Sequence, residues 1–255
     1  MLTMSLGEWS QYRDLLKKLS DQAADEFRDA VWKAGGKFGA VGLGKIPREE
    51  LIEFAYALVT KYGEGAAAAA CEWYDAIAQM SGAAVKPAEP AATPAIDEVA
   101  KAVNGTMKTG NTDTVADALG RLVKRTGQDT TLQNSIRDGA QVAWITQGDT
   151  CAFCITLASR GWEYASNKLI DKGHAKHIHA RCDCFYGVRF NSETEYEGYD
   201  PQSYLDVYNA AQGADSQAKI NDIRRELYKQ NKDEINAQKR EAYARRKERE
   251  TEKES

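Results

Sequence analysis

Cysteine and histidine are concentrated in one short part of this 255-residue chain. Four of the five cysteines and all three histidines lie between Cys151 and Cys184, and only Cys71 lies elsewhere. In a chain without disulfides, such a concentration is typical of side chains that share one local task. We therefore expect the segment from 151 to 184 to fold around these side chains.

The spacing of the cysteines predicts a metal site. Cys151 and Cys154 are separated by two residues, and Cys182 and Cys184 by one. Zinc is held by four thiolate or imidazole ligands at about 2.0–2.3 Å, and a Cys-x-x-Cys pair supplies two of them from one turn. The spacing predicts one structural zinc ion per chain, with the candidate ligands Cys151, Cys154, His179, Cys182 and Cys184. Five candidates compete for four positions, so one of Cys182 and Cys184 can be spare.

Other interpretations explain the cluster less well. Two disulfides would require export, but the first residues carry charges where a signal peptide needs an apolar stretch, so we expect a reducing cytosol. Unrelated buried thiols rarely occur as two tight pairs with histidine between them. A redox Cys-x-x-Cys leaves the second pair unexplained, and no βαβ pattern precedes it. His174 and His177 are expected to be solvated loop residues.

No catalytic motif accompanies the cluster. The chain lacks H-E-x-x-H and the deaminase pattern of H-x-E with P-C-x-x-C. It also lacks the motifs of nucleotide binding and of acyl transfer. Catalytic zinc needs an open coordination position and a general base, so a closed, structural site is favoured and the chain is not expected to be an enzyme. Simple roles as caps or solvated residues are predicted for the nearby carboxylates Asp149, Glu163, Asp171 and Asp183.

Most of the remaining chain has apolar residues at helical spacing. The pattern predicts one helix from Leu6 to Ala34 and a second from Pro47 that ends near Gly63. A third helix is predicted from Ala66 to Met80, capped by Gly82. We therefore expect the first eighty residues to form a helical bundle.

A segment rich in alanine and proline at 83–94 is typical of an extended connector, and we place a boundary there. Beyond it, the pattern predicts helices at Ile96–Val103, Thr114–Thr126 and Thr130–Ala143. Short strands are predicted at Ala143–Thr146 and Cys184–Phe190. Between them, a helix is expected from Cys151 to Gly161, with Asp149 or Thr150 as its N-cap.

The C-terminal part is strongly charged and helical in pattern. Ser216–Ser255 contains 12 Lys and Arg and 9 Asp and Glu with few apolar residues, which predicts a solvated helix or one that requires a partner. The whole chain is thus expected to be mainly α: a helical bundle with a small zinc-stapled α/β module and a charged C-terminal helix. The predicted regions are 1–82 (N-terminal helical region), 83–94 (Ala/Pro linker), 95–145 (helical region), 146–190 (Cys/His zinc module with short β elements) and 191–255 (charged helical tail).

Composition excludes a membrane-spanning protein and makes nucleic-acid binding less expected. The apolar runs are too short for a membrane span, which needs about 20 residues. The net charge of −4 argues against a general electrostatic attraction to nucleic acid. A zinc-ribbon-like nucleic-acid binder remains an alternative because of a modest basic series formed by Lys168, Lys172, Lys176, Arg181 and Arg189.

Two segments resemble a known family. GDTCAFCITLASRGWEY at 148–164 and HARCDC at 179–184 are similar to the signature of tailed-phage minor capsid, or head morphogenesis, proteins of the Mu F-like kind. LIEFAYALVTKYGEGAAAAACEWYDAIAQMSG at 51–82 also resembles the helical region of that family. The resemblance covers about residues 50–190 and leaves the charged tail outside it.

The resemblance implies a ligand set. The first cysteine pair of the family corresponds to Cys151 and Cys154, and its first histidine to His179. The closing cysteine pair corresponds to Cys182 and Cys184. The second histidine of the family falls on Arg181 in this chain, which makes His179 the expected histidine ligand, with His177 as a substitute.

The resemblance also implies a role. Such proteins are low-copy components near the portal inside the phage head and act in head assembly, DNA packaging or ejection. Portal and major capsid proteins are the expected partners, contact with packaged DNA is left open, and no membrane is involved. The expected location is the interior of the virion, and the host cytoplasm during assembly. The alternative is a zinc-dependent nuclease or toxin effector, in which His174, His177 or Asp183 would perform acid–base chemistry.

Overall fold

The computed structural model describes residues 2–34, 46–107, 112–146, 150–171 and 182–251. These ranges contain nine helices and five short strands, which confirms the mainly α class. The helices are α1 (Leu6–Lys33), α2 (Arg48–Met80), α3 (Ile96–Met107), α4 (Thr112–Asp138), α5 (Ala152–Ala158), α6 (Asn167–Asp171), α7 (Pro201–Ala210), α8 (Ser216–Gln230) and α9 (Lys232–Thr251). The strands are β1 (Leu2–Met4), β2 (Gln141–Ile145), β3 (Glu163–Tyr164), β4 (Phe185–Arg189) and β5 (Thr194–Tyr196).

The chain divides into two compact units. The first unit consists of Met1–Gln147 and Trp162–Tyr199, and the second of Gly148–Gly161 and Asp200–Ser255.

Within the described ranges, no helix has both the length and the apolar character that crossing a membrane requires.

Helices α1, α2 and α4 pack against one another in the first unit. Helix α1 begins with a capping box, in which Ser5 accepts the amide of Glu8 and the Glu8 carboxylate accepts the amide of Ser5. From there its buried side chains recur every three or four residues, so one face of the helix enters the core. This face consists of Trp9, Tyr12, Leu16, Ser20, Ala23, Ala24, Phe27 and Val31.

Helix α2 is continuous, so the prediction of two helices that meet near Gly63 is wrong. Gly63 is buried in the middle of α2, where a Cβ atom would lie 3.2 Å from the hydroxyl oxygen of Thr126 in α4. Its small size therefore permits close helix packing and does not end the helix. The predicted end at Gly82 is confirmed: Gly82 has φ of +67° and the amide of Ala83 donates to the carbonyl of Ala78.

Helix α4 is also continuous, and it ends earlier than predicted. Gly139, with φ of +64°, follows its last residue, and the chain then enters β2. The two predicted strands are confirmed as β2 and β4, which pair antiparallel with Ile145 opposite Phe185. Strand β3 pairs on the other side of β2, and β1 pairs in parallel with β5. Cross-strand pairing thus replaces helix in the last residues of the predicted 130–143 helix.

The Ala/Pro segment at 83–94 has no regular secondary structure, and the chain on both sides of it belongs to the first unit. Polar side chains of the neighbouring helices bind its backbone. Asp75 accepts the amide of Ala88 at 2.8 Å, and Asn134 exchanges two hydrogen bonds with Glu89 at 2.8 and 2.9 Å. These bonds satisfy backbone groups that proline prevents from joining a helix or sheet.

The second unit has a small core of its own. Ile220 and Ile223 of α8 pack with Ala152 and Ile155 of α5 and with Ala211. The prediction that 216–255 has too little apolar surface to pack without a partner is therefore wrong for α8. The tail also contains two helices, because α8 ends at Gln230, with Asn231 as its C-cap, and α9 follows. The described side chains of α9 are exposed or partly exposed, which confirms the charged C-terminal helix.

Candidate metal centre

Two cysteine thiols of the first unit form a close group. The sulfur atoms of Cys182 and Cys184 are within 4.8 Å of each other. Cys182 is 2% exposed, and Cys184 is partly buried. Tetrahedral zinc with Zn–S bonds of about 2.3 Å places its sulfur ligands about 3.8 Å apart. The group could therefore supply two ligands to a metal ion after a small adjustment of the side chains.

The remaining predicted ligands are placed differently. Cys151 and Cys154 belong to the second unit. His179 lies outside the described residues, as do His174 and His177. Both Cys182 and Cys184 belong to the group, so the structure does not single out one of them as spare.

Cys151 is the N-cap of α5, and its sulfur accepts the amide of Cys154 at 3.5 Å. The expectation that Asp149 or Thr150 caps this helix is corrected for Thr150, which precedes the cap, whereas Asp149 lies outside the described residues. An amide that donates to sulfur favours the thiolate form, which is the form that binds metals. The helix ends at Ala158 with Ser159 as its C-cap, which is earlier than the predicted end at Gly161, a residue with φ of +66°.

Cys71 provides the contrast within the same chain. It lies in α2, is partly buried, and is not part of the sulfur group. Burial, followed by the charge of Asp75, raises the pKa of the Cys71 thiol. A thiol with a raised pKa stays protonated at neutral pH and is a poor metal ligand.

Within the first unit, the position of the Cys182–Cys184 segment is fixed by Phe185, which follows it. Phe185 is 1% exposed and lies with its ring centroid 5.7 Å from that of Trp9 and 5.5 Å from that of Tyr12. The antiparallel register also places Phe185 opposite Ile145, so Cys184 lies beside the end of β2. Cys182 and Cys184 therefore lie just before β4, whose first residue, Phe185, packs against two buried aromatic rings.

Two buried polar side chains of α4 contact the same segment. The ammonium of Lys124 donates to the carbonyl of Cys182 at 2.5 Å. The amide of Gln128 donates to the carbonyl of Cys184 at 3.4 Å and accepts the amide of Tyr186 at 2.9 Å. Neither residue is predicted from the sequence as part of the site; the available signal was a lysine and a glutamine one turn apart on a helix face that also carries Gly120 and Gly127.

The structure describes two of the carboxylates near the cysteines for which roles as caps or solvated residues are predicted. Asp183 lies 3.5 Å from the ammonium of Lys124 and its side chain is 41% exposed. Glu163 is paired in β3 opposite Val142. Neither belongs to the described group of metal-binding atoms, so that group consists of thiols alone.

These features define a mainly helical protein with a pair of neighbouring cysteines that could bind a metal ion. The family model described as VG15 protein matches residues 3–211, a range that includes every cysteine and histidine of the chain. The chain therefore belongs to the VG15 protein family, a viral-gene family of the phage type. No curated protein and no solved structure is significantly similar to the chain.

Proposed function

We propose that this phage protein is a minor capsid component that acts near the portal in head assembly, DNA packaging or ejection. The family match over residues 3–211 is the observation that carries the proposal, because it assigns most of the chain to phage-type proteins. The Mu F-like signature at 148–164 and 179–184 supports the narrower role. Portal and major capsid proteins are the proposed partners, and the interior of the head is the proposed location.

The proposal includes one structural zinc ion per chain. Cys182 and Cys184 would supply two ligands, and the sequence predicts the others among Cys151, Cys154 and His179. A set of thiolates favours zinc over magnesium or calcium, which prefer oxygen ligands. A closed zinc site of this kind contributes to the stability of the fold that supplies its ligands.

The composition of the thiol group supports a structural role over catalysis. A catalytic zinc site keeps one position open for water and places a general base beside it. Among the described residues, the carboxylate nearest in sequence to the cysteine pair is Asp183, and it faces Lys124. With a fourth cysteine or histidine ligand, the zinc ion would have no coordination position open for water.

Metal analysis tests the site directly. We expect about one zinc per purified chain, and a large loss of zinc in the Cys182→Ser variant because a buried ligand is removed. Cys71→Ser is the matched control, since Cys71 lies outside the sulfur group, and should keep the zinc content of the unmodified protein. Equal zinc loss in both variants, or no zinc in protein purified without chelator, would overturn the zinc proposal.

Particle analysis tests the role. Quantitative mass spectrometry of purified heads should find a few copies of this chain beside the hundreds of the major capsid subunit. Crosslinking in the same particles should join it to the portal or the major capsid protein. Absence from the particles, together with metal-dependent plasmid cleavage that is lost in His177→Ala or His179→Ala, would replace the capsid role with the effector nuclease.

A further inference from the structure

We propose that Lys124 and Gln128 of α4 are positioning residues that hold the Cys182–Cys184 backbone in its metal-binding conformation before a metal ion binds. The inference rests on the proposed zinc site and extends it to residues that do not contact the ion. It concerns only contacts within the first unit.

The two side chains form a pair on one face of α4. They are four residues apart, which places them one above the other on a helix, and they are 4% and 1% exposed. Together they bind three backbone groups in five consecutive residues: the carbonyls of Cys182 and Cys184 and the amide of Tyr186. We call this pair the α4 clamp.

The clamp fixes alternate residues of the segment that leads into β4. Residues 182–184 themselves have no regular secondary structure. Holding the carbonyls of residues 182 and 184 against one helix restricts backbone rotation between the two cysteines, whose sulfur atoms lie within 4.8 Å of each other. The bond between Tyr186 and Gln128 then sets the point at which the segment enters β4.

The burial of these polar groups argues that the contacts are specific. A buried ammonium or amide is costly unless it is hydrogen-bonded, and Gln128 uses both ends of its amide on this one segment. An apolar residue at either position would leave buried carbonyls or an amide without this partner. Groups that orient metal ligands from outside the coordination sphere commonly change metal affinity by about 10–100-fold.

Asn134 offers a matched control on the same helix. It is 1% exposed and also binds an extended segment with both ends of its amide, but its partner is Glu89. Replacing Asn134 therefore removes a buried clamp of the same kind without touching residues 182–186. Its effect measures the general cost of losing such contacts.

The experiment compares Gln128→Met with Asn134→Leu in the full chain. Zinc affinity is measured by competition with a chromogenic chelator, and exchange of the Tyr186 amide by hydrogen–deuterium exchange in metal-free protein. We expect Gln128→Met to weaken zinc binding at least tenfold and to speed exchange of the Tyr186 amide. Asn134→Leu should leave both unchanged even where it lowers the free energy of unfolding. Lys124→Met provides a second test of the affinity if Gln128→Met does not fold.

The outcomes separate this inference from the zinc proposal. Unmodified protein that takes up no zinc would overturn both. Normal zinc binding together with unchanged affinity in Gln128→Met would overturn the clamp alone. Equal loss of affinity in Gln128→Met and Asn134→Leu would also overturn it, because the effect would then follow from general destabilisation.

Discussion

Replacement of Gly120 by alanine tests how closely α4 packs against α1. A Cβ atom at position 120 would lie 2.8 Å from the hydroxyl oxygen of Ser20 and 3.0 Å from its carbonyl oxygen. The hydroxyl can rotate away, but the carbonyl belongs to the backbone of α1, and Ser20 is 2% exposed. The variant can therefore fold only if the two helices move apart by a few tenths of an ångström.

Two opposing effects determine how much Gly120→Ala changes the free energy of unfolding. Alanine is more favourable than glycine inside a helix by about 0.8–1 kcal/mol. Forcing an extra methyl group into a closely packed contact costs about 1–3 kcal/mol, and a fixed carbonyl puts this contact near the upper end. We expect the free energy of unfolding to fall by about 1–2 kcal/mol. With a urea dependence of about 2 kcal/mol/M, the midpoint falls by about 0.5–1 M.

Tryptophan fluorescence during urea unfolding reports this change, because every tryptophan of the chain lies in the first unit. The five are Trp9, Trp32, Trp73, Trp144 and Trp162. Gly105→Ala in α3 is the control: Gly105 is exposed, and its added Cβ would have no neighbour within 4 Å. That variant should gain about 0.5–1 kcal/mol. A Gly120→Ala protein as stable as the unmodified one would refute the packing argument.

Three further predictions concern other parts of the chain. Ile223→Ala should lower the stability of the second unit by about 2–4 kcal/mol, seen as faster proteolysis within 200–230, whereas the half-exposed Tyr228→Ala should change it little. Hydrogen bonds from Arg137, and then from Tyr74, lower the pKa of Asp138, so its stabilising effect is present at neutral pH and is lost as the pH falls below about 4. The difference in unfolding free energy between the unmodified protein and Asp138→Asn should therefore shrink between pH 6 and pH 3, and a constant difference would contradict this assignment. Trypsin should cleave α9 first and leave the zinc content unchanged, and protection of α9 in the isolated protein would show that it packs elsewhere.

Periodicity predicted the helices well because most of them bury a single apolar face. It placed a helix end at Gly63, where glycine instead allows two helices to pack closely. In a sequence, a glycine can mark the end of a helix or a close helix–helix contact, and the pattern alone does not distinguish the two. It also missed β1 and β5, whose three residues are too short for an alternating pattern. The error at α8 had another cause: Ile220 and Ile223 are few, but α5 and α7 supply the rest of their core.

For the cysteine site too, the sequence predicted some residues and not others. The spacing of Cys151, Cys154, Cys182 and Cys184 pointed to metal chemistry because thiol pairs carry that signal in the sequence itself. Lys124 and Gln128 carry only the weak signal of sharing a helix face with two glycines, since a lysine and a glutamine on a helix normally indicate a solvated face. Their role depends on α4 being buried on nearly all sides, which follows from its packing against both α1 and α2. Polar residues that organise a site from a buried helix are therefore found only once the packing of that helix is known.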